Sequence, residues 1–354
     1  MKLYRTAVFL YALFICLPFI KAAGAAVQSE KKTKVEFIVK ESEQKVDVMI
    51  GGRFITSYCW PGNVYKPVLY PVNTTGGTEI TRGFPLKPRE GERNDHIHQV
   101  GMWLNYGNVN GFDFWGNGST GKKSENGGVI KHLSIEQVNS GEGEGILIVR
   151  ANWEDPAGKV LLKERTEFHI ISKEQSYCVD RITTLTAVDE SVSMKDTKEG
   201  MFAIRVARQL ELPSKEDIPL LDAQGKPGNE KAKENKGVTG NYRSSEGITG
   251  EAVWGTRARW MHLSGTIGNE RISVVICDHP ENPSYPTYWH ARGYGLFSAN
   301  PLGANDFTKG KEVVNFEIPS GKSVTFRYRT IITSGFHLDD MGIGELAENF
   351  ASSY

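Results

Sequence analysis

Residues 94–115 read N-D-H-I-H-Q-V-G-M-W-L-N-Y-G-N-V-N-G-F-D-F-W, two imidazoles one residue apart beside an aspartate, ahead of amides and aromatics. On a strand, positions i and i+2 point the same way, so His96 and His98 would address one ion or one substrate. Neutral imidazole is a common metal ligand, and it also takes and gives protons near neutral pH. The plainer alternative is a pair of structural histidines, because so short a motif arises by chance.

A second string, D-H-P-E-N-P-S-Y-P-T-Y-W-H-A-R-G-Y-G-L-F-S-A-N-P-L-G, covers residues 278–303. Its clustered prolines exclude a central strand at 280–286. Tyr285, Tyr288, Trp289, Tyr294 and Phe297 are nevertheless too apolar for an idle loop. Ordered, Pro-stiffened loops on a β scaffold are where binding sites sit. His290 and Arg292 alternate and are expected to share a face. A loop folded onto the sandwich edge as a satellite core is the competing expectation.

Aromatics interleaved with amides and carboxylates suit pyranose rings, which need a flat apolar face and partners for hydroxyls. Trp103, Phe112 and Trp115 are candidate platforms, and Asn105, Asn110 and Asp113 candidate hydroxyl partners. Among charged residues in strand-like surroundings, Glu199 precedes an apolar run and Arg205 lies within it. Arg257 and Arg259 flank Ala258 between two tryptophans. A buried arginine needs a carboxylate, for which Glu199 or Asp278 would serve. The expected catalytic set is therefore His96, His98, His290, Glu199 and Asp278. Trp103, Asn110, Asp113, Trp115, Arg205, Tyr288, Trp289 and Arg292 are expected to bind substrate, and His96 and His98 double as candidate metal ligands. No G-x-S-x-G, C-x-x-C, P-loop or helix-opening G-x-G-x-x-G occurs, which removes serine-hydrolase, thioredoxin-like, NTPase and dinucleotide chemistries.

The elements that must position these groups are strands. V-E-F-I-V-K, K-V-D-V-M-I and R-F-I-T-S-Y follow one another across short polar breaks, a meander signal. K-V-L-L-K-E-R-T-E-F-H-I-I alternates at period two, and more such runs extend to V-T-F-R-Y-R-T-I-I-T near the end. The 38 glycines among 354 residues punctuate short β-rich runs. The expectation is an all-β chain forming a large antiparallel β-sandwich, with little helix apart from the C-terminal L-D-D-M-G-I-G-E-L-A-E-N-F-A. Residues 30–354 read as one domain, with a polar, turn-rich surface excursion near 212–240.

Formal net charge is zero, so nothing favours nucleic acid as a partner. Residues 1–25 read as a signal peptide: a basic start, an apolar run broken by Pro18, then Ala23-Gly24-Ala25 in a small-x-small cleavage pattern. An exported protein, periplasmic or secreted and free of the membrane once the signal is removed, is expected. Cys59, Cys178 and Cys277 remain, too few for a disulfide framework; buried thiols are expected, with one bridge at most.

Taken together, D-H-x-H with G-M-W, G-N-V-N-G-F-D-F-W, K-E-G-M-F-A-I-R-V, W-G-T-R-A-R-W and the 278–303 string resemble a family of exported bacterial proteins. That family is labelled methane oxygenase PmoA, and also a domain of unknown function. The resemblance runs from about residue 50 to 335. Similar sequences often carry a further His where this chain has Gln99; His96 and His98 are kept. A membrane oxygenase subunit needs several long apolar helices, and beyond the leader this chain has none. The resemblance instead implies a role in bacterial glycan use and a mutarotase-like supersandwich.

Three functions follow from these readings. The first is a carbohydrate-active enzyme acting on a small carbohydrate or glycoside by His/carboxylate acid–base chemistry, as hydrolase, lyase or epimerase, with no cofactor required. The second is a metal-dependent enzyme, an oxygenase for example, in which His96 and His98 bind a divalent ion. The third is a non-catalytic glycan-binding module, for which aromatics suffice. All depend on residues 94–98, Glu199 and 288–292 meeting at one place.

Overall fold

In the computed structural model, residues 1–2, 32–232 and 235–354 are described. The signal-peptide expectation falls almost wholly on residues 3–31, outside this set. Two large antiparallel sheets account for most strands. In the nine-stranded sheet the order is Tyr288–Ala291, Leu296–Asn300, Gly200–Arg205, Met102–Tyr106, Val68–Val72, Arg53–Cys59, Lys45–Ile50, Lys34–Lys40 and Gly141–Glu142. In the eight-stranded sheet it is Asn241–Ser244, Trp260–Ile267, Glu270–Asp278, Ser323–Thr333, Ser176–Ala187, Val160–Ser172, Glu144–Glu154 and Val129–Asn139. The all-β, antiparallel expectation therefore holds.

Alternation decides which faces meet. Along Val160–Ser172, Leu162, Glu164, Thr166, Phe168 and Ile170 are buried while the residues between them are more exposed, the period-two signature. Leu104, Phe202, Ile204 and Phe297 of the nine-stranded sheet share one core with Phe168, Val274, Ile276 and Tyr328 of the eight-stranded sheet. Phe202 and Tyr328 stack across the gap, centroids 4.9 Å apart and planes within 6°. Burying an aromatic side chain of this kind contributes about 2–3 kcal/mol. That common core identifies a sandwich.

Residues one step out of phase form a different layer. Trp103, Ala203 and Leu296 project from the opposite face of the nine-stranded sheet and pack with Val64, Val68, Val100 and Trp115. Loops thus cover the outer side of this sheet. The register aligns His290 with Ser298, Ser298 with Ala203, and Ala203 with Trp103 across four strands. This row is the platform on which the site is built.

The C-terminal helix Asp340–Ala351 starts where Asp339 accepts the Gly342 N–H at 2.8 Å. Its Ile343 and Phe350 cover Cys178, Val275, Cys277 and Ile331. A shorter helix, Ala304–Thr308, was not expected. Within the polar excursion, Ile218–Leu221 and Pro227–Ala232 pair as a hairpin. Cys59, Cys178 and Cys277 are all free thiols, the last two buried. Among the described residues, no helix is long and apolar enough to cross a membrane.

Candidate functional site

The histidine pair lies on a turn, not a strand, which corrects the geometric premise for H-x-H. His96 has φ +45°, and the Gln99 N–H donates to the His96 carbonyl at 2.9 Å. A non-glycine residue in the left-handed region costs on the order of 1 kcal/mol and persists only where surroundings impose it. Here two buried guanidiniums impose it. Arg82 donates to Asp95 Oδ1 at 2.9 Å, to the Asp95 carbonyl at 2.7 Å and to the His96 carbonyl at 2.8 Å. Arg205 donates to Asp95 Oδ1 at 2.7 Å and also to Gln99 Oε1. Burial alone would raise the Asp95 carboxyl; the His96 hydrogen bond and the Arg205 and Arg82 charges outweigh it and hold the group below the usual carboxylate range. The turn still brings the imidazoles together, with centroids 5.8 Å apart.

His96, His98, Gln99, Asp113, Trp115, Gly116, Ser119, Lys198, Glu199, His290, Arg292 and Tyr294 line one cavity of about 520 Å³. Four chain segments far apart in sequence supply it, and its size is ordinary for a small-molecule site. Of the residues expected to do chemistry, His96, His98, Glu199 and His290 are at its wall, with Asp113, Trp115 and Arg292 from the binding set.

Each wall group has a definite electrostatic setting. His290 is buried, and its Nδ1–H donates to the Lys198 carbonyl at 2.8 Å. A carbonyl can only accept, so Nε2 carries the lone pair. Burial pushes this imidazole down to about 4, leaving it neutral at pH 7. His98 is pushed down to about 3, by burial first and then by the Lys66 charge. Its Nδ1 is buried and has no hydrogen-bond partner. Glu199 is shifted the other way: burial raises its carboxyl, the Lys198 charge partly offsets this, and Asp113 adds to it. Lys198 Nζ lies 3.4 Å from Glu199 Oε1.

Asp113 is held by its own turn, its Oδ1 accepting the Trp115 and Gly116 N–H groups at 2.9 and 2.8 Å. A Cβ on Gly116 would lie 2.5 Å from Asp113 Oδ2, so only glycine lets the carboxylate fold back there. Trp115 packs on Trp103 with centroids 5.5 Å apart, and its buried Nε1–H lacks a partner. Tyr294 stacks on His96 at 4.8 Å with planes within 4°, and the Arg205 guanidinium lies 4.8 Å from the Tyr294 ring centroid.

The remaining expected residues are placed elsewhere. Asp278 accepts from Asn282 Nδ2 at 2.7 Å and from the Thr287 N–H at 2.8 Å, fastening the proline-rich loop. Trp103 lies beneath the site with its Nε1–H on Asn105 Oδ1 at 2.9 Å. Trp289 points into the common core, donating to the Ala258 carbonyl at 3.0 Å. Tyr288 packs on Phe307 and donates to Glu312 at 2.9 Å. Asn110 caps a turn, accepting the Ser193 N–H at 2.7 Å. Arg205 supports the turn from behind.

Gln99, Ser119, Lys198 and Tyr294 line the cavity but were not singled out for it. Lys198 and Tyr294 had a signal, being next to Glu199 and two residues beyond Arg292. Lys66 had none: it is buried, donates to the His98 carbonyl at 2.7 Å, and burial lowers its ammonium to about 7.

The histidine pair does not extend to a chelating set. Among the described residues, no three His, Cys, Asp or Glu side chains are arranged to hold a metal ion. Asp95, the nearest carboxylate, is engaged by Arg82 and Arg205.

A family model matches residues 45–348, nearly the whole described chain. The chain belongs to DUF6807. This is a family of unknown function, and no curated protein matches the sequence. Among solved structures, the DUF6807 chain is similar to a beta-arabinopyranosidase, at 13% identity and TM-score 0.31, over 88% of this chain and 40% of that one. It thus spans less than half the length of that enzyme. It is also similar to a galactose mutarotase related enzyme from Lactobacillus acidophilus, at 10% identity and TM-score 0.27, over 86% and 98% of the two chains. An aldose epimerase homologue from C. elegans gives 10% identity and TM-score 0.28, over 87% and 100%.

Proposed function

We propose that this DUF6807 protein is an exported carbohydrate-active enzyme that works by acid–base chemistry on a sugar or glycoside. The observation that carries this reading is the 520 Å³ cavity, where a neutral imidazole with its lone pair on Nε2 and a carboxyl raised by burial share one wall. His290 suits the role of proton acceptor and Glu199 that of proton donor. Shifting two titratable groups in opposite directions is how one site holds acid and base together at one pH. The Trp115 and Tyr294 rings supply apolar surface for a sugar ring. Asp113, Ser119 and Gln99 supply polar groups for hydroxyls.

The metal-dependent reading has less support, since a third donor for His96 and His98 is wanting among the described residues. The test is a screen of wild-type protein against chromogenic glycosides and reducing sugars, with His290→Asn and Glu199→Gln compared on any substrate found. Turnover lost in both variants, with melting temperatures retained, supports the reading. Saccharide binding unaffected by either variant and without turnover points to a glycan-binding module instead.

A further inference from the structure

Five other arginines are consumed by carboxylates. Arg82 and Arg205 hold Asp95, Arg89 holds Glu92, and Arg93 and Arg208 hold Glu211. Arg292 differs. Among the described residues no carboxylate lies within ion-pair distance of it, and its guanidinium makes no hydrogen bond to the protein. It is positioned by π-faces instead, 5.6 Å from the Trp254 ring centroid and 5.8 Å from that of Tyr294. Such contacts orient a guanidinium without using its N–H donors. A planar fork of five unspent donors matches a carboxylate, which it can grip with two parallel bonds.

The location sharpens the point. Arg292 and Tyr294 line the 520 Å³ cavity and also a second one of about 350 Å³, whose wall includes Arg93, Ser214, Glu216 and Glu251. This pair stands between the two hollows and lines both, so a ligand reaching from one to the other would contact Arg292. Within the main cavity the other cation, Lys198, already faces Glu199 at 3.4 Å. Arg292 is thus the cation left for a ligand's anionic group, at the seam between two compartments.

From this we propose that the natural ligand is an acidic oligosaccharide, with a uronate carboxylate seated on Arg292 and neighbouring units in both hollows. The proposal rests on the carbohydrate reading above and adds the charge and length of the substrate.

Calorimetric titration of the full chain with digalacturonate and trigalacturonate, and with neutral galactose oligosaccharides of the same length, tests it. The acidic ligands bind more tightly, and added salt weakens them. Arg292→Gln weakens acidic binding by about tenfold or more and neutral binding by clearly less, so the preference for the acidic ligand shrinks. Arg292→Lys, which keeps the charge but loses the fork, falls between the two. Melting curves identify any variant that has not folded, and the wild-type preference between acidic and neutral ligands then still decides. Neutral oligosaccharides bound as well as or better than acidic ones would overturn this inference and leave the carbohydrate reading standing. Binding of neither class would overturn both.

Discussion

His290 Nδ1 donates to the Lys198 carbonyl across 2.8 Å, joining the edge strand of the nine-stranded sheet to the residue next to Glu199. One bond thereby fixes the imidazole tautomer and ties the ring to the segment that carries Glu199. His290→Asn retains a small N–H donor near that carbonyl but removes Nε2. The expected result is a loss of turnover of about 10²-fold or more, with saccharide affinity nearly unchanged, because acid–base groups contribute on that scale. Steady-state kinetics beside calorimetry separates the two effects. Equal losses in affinity and turnover would count against a proton-transfer role.

Glu199 is the counterpart. Its carboxyl is raised by burial, with Lys198 as a partial brake. Glu199→Gln keeps shape and one acceptor but has no proton to give at any pH. Turnover is expected to fall by about 10²–10⁴-fold. Lys198→Met should move the alkaline limb of wild-type activity to higher pH, since Glu199 donates only while protonated and the change deletes the charge that lowers its pKa. An unchanged limb would remove Glu199 from the titration.

Several buried histidines tie stability to pH. His98, His262 and His290 are pushed down to about 3, 4 and 4, in each case chiefly by burial. The unfolded chain takes up protons on these rings from about pH 6.5, and the folded chain does not until far lower. Their contribution is therefore complete above pH 6.5 and is lost as pH falls through 4. Asp278 opposes this, since burial raises it to about 7 and its contribution fades as pH rises from 3.8 to 7. The depressed histidines, His132 among them at about 4, outnumber it, so stability should fall as pH drops from 6.5 towards 4. Urea midpoints at pH 7, 6 and 5 measure the slope, and His290→Asn should make it shallower.

Alternating runs were enough to anticipate the sheets, because period two survives in any half-buried strand. The site was legible only in part. Trp289 and His290 are adjacent in an apolar string, and nothing local says which faces the core; the pairing of His290 with Ser298 and Ala203 decides it. Asp278 was expected as the carboxylate partner of a buried arginine, yet it receives two donors from its own loop. The His96–His98 geometry was reached from a wrong premise. Arg82 and Arg205 bend that segment into a turn from positions distant in sequence, and such long-range clamps leave no local pattern.

That clamp supplies the last prediction. Arg205 is fully buried and joins Asp95 and Gln99 to the platform strand, with Tyr294 stacked above its guanidinium. Arg205→Met replaces the stem with similar volume but strands Asp95 on Arg82 alone. Breaking one member of a buried charged set costs about 3 kcal/mol. The loss should appear in two places at once. The melting temperature falls, and the turn at residues 95–99 exchanges its amide hydrogens faster than the adjoining strands, measured by hydrogen exchange with mass spectrometry. Asp95→Asn should cost more than Arg205→Met, because it leaves two buried guanidiniums facing each other without a counter-charge. If Asp95→Asn proves the milder change, the carboxylate is not what holds the two arginines and the histidine turn together.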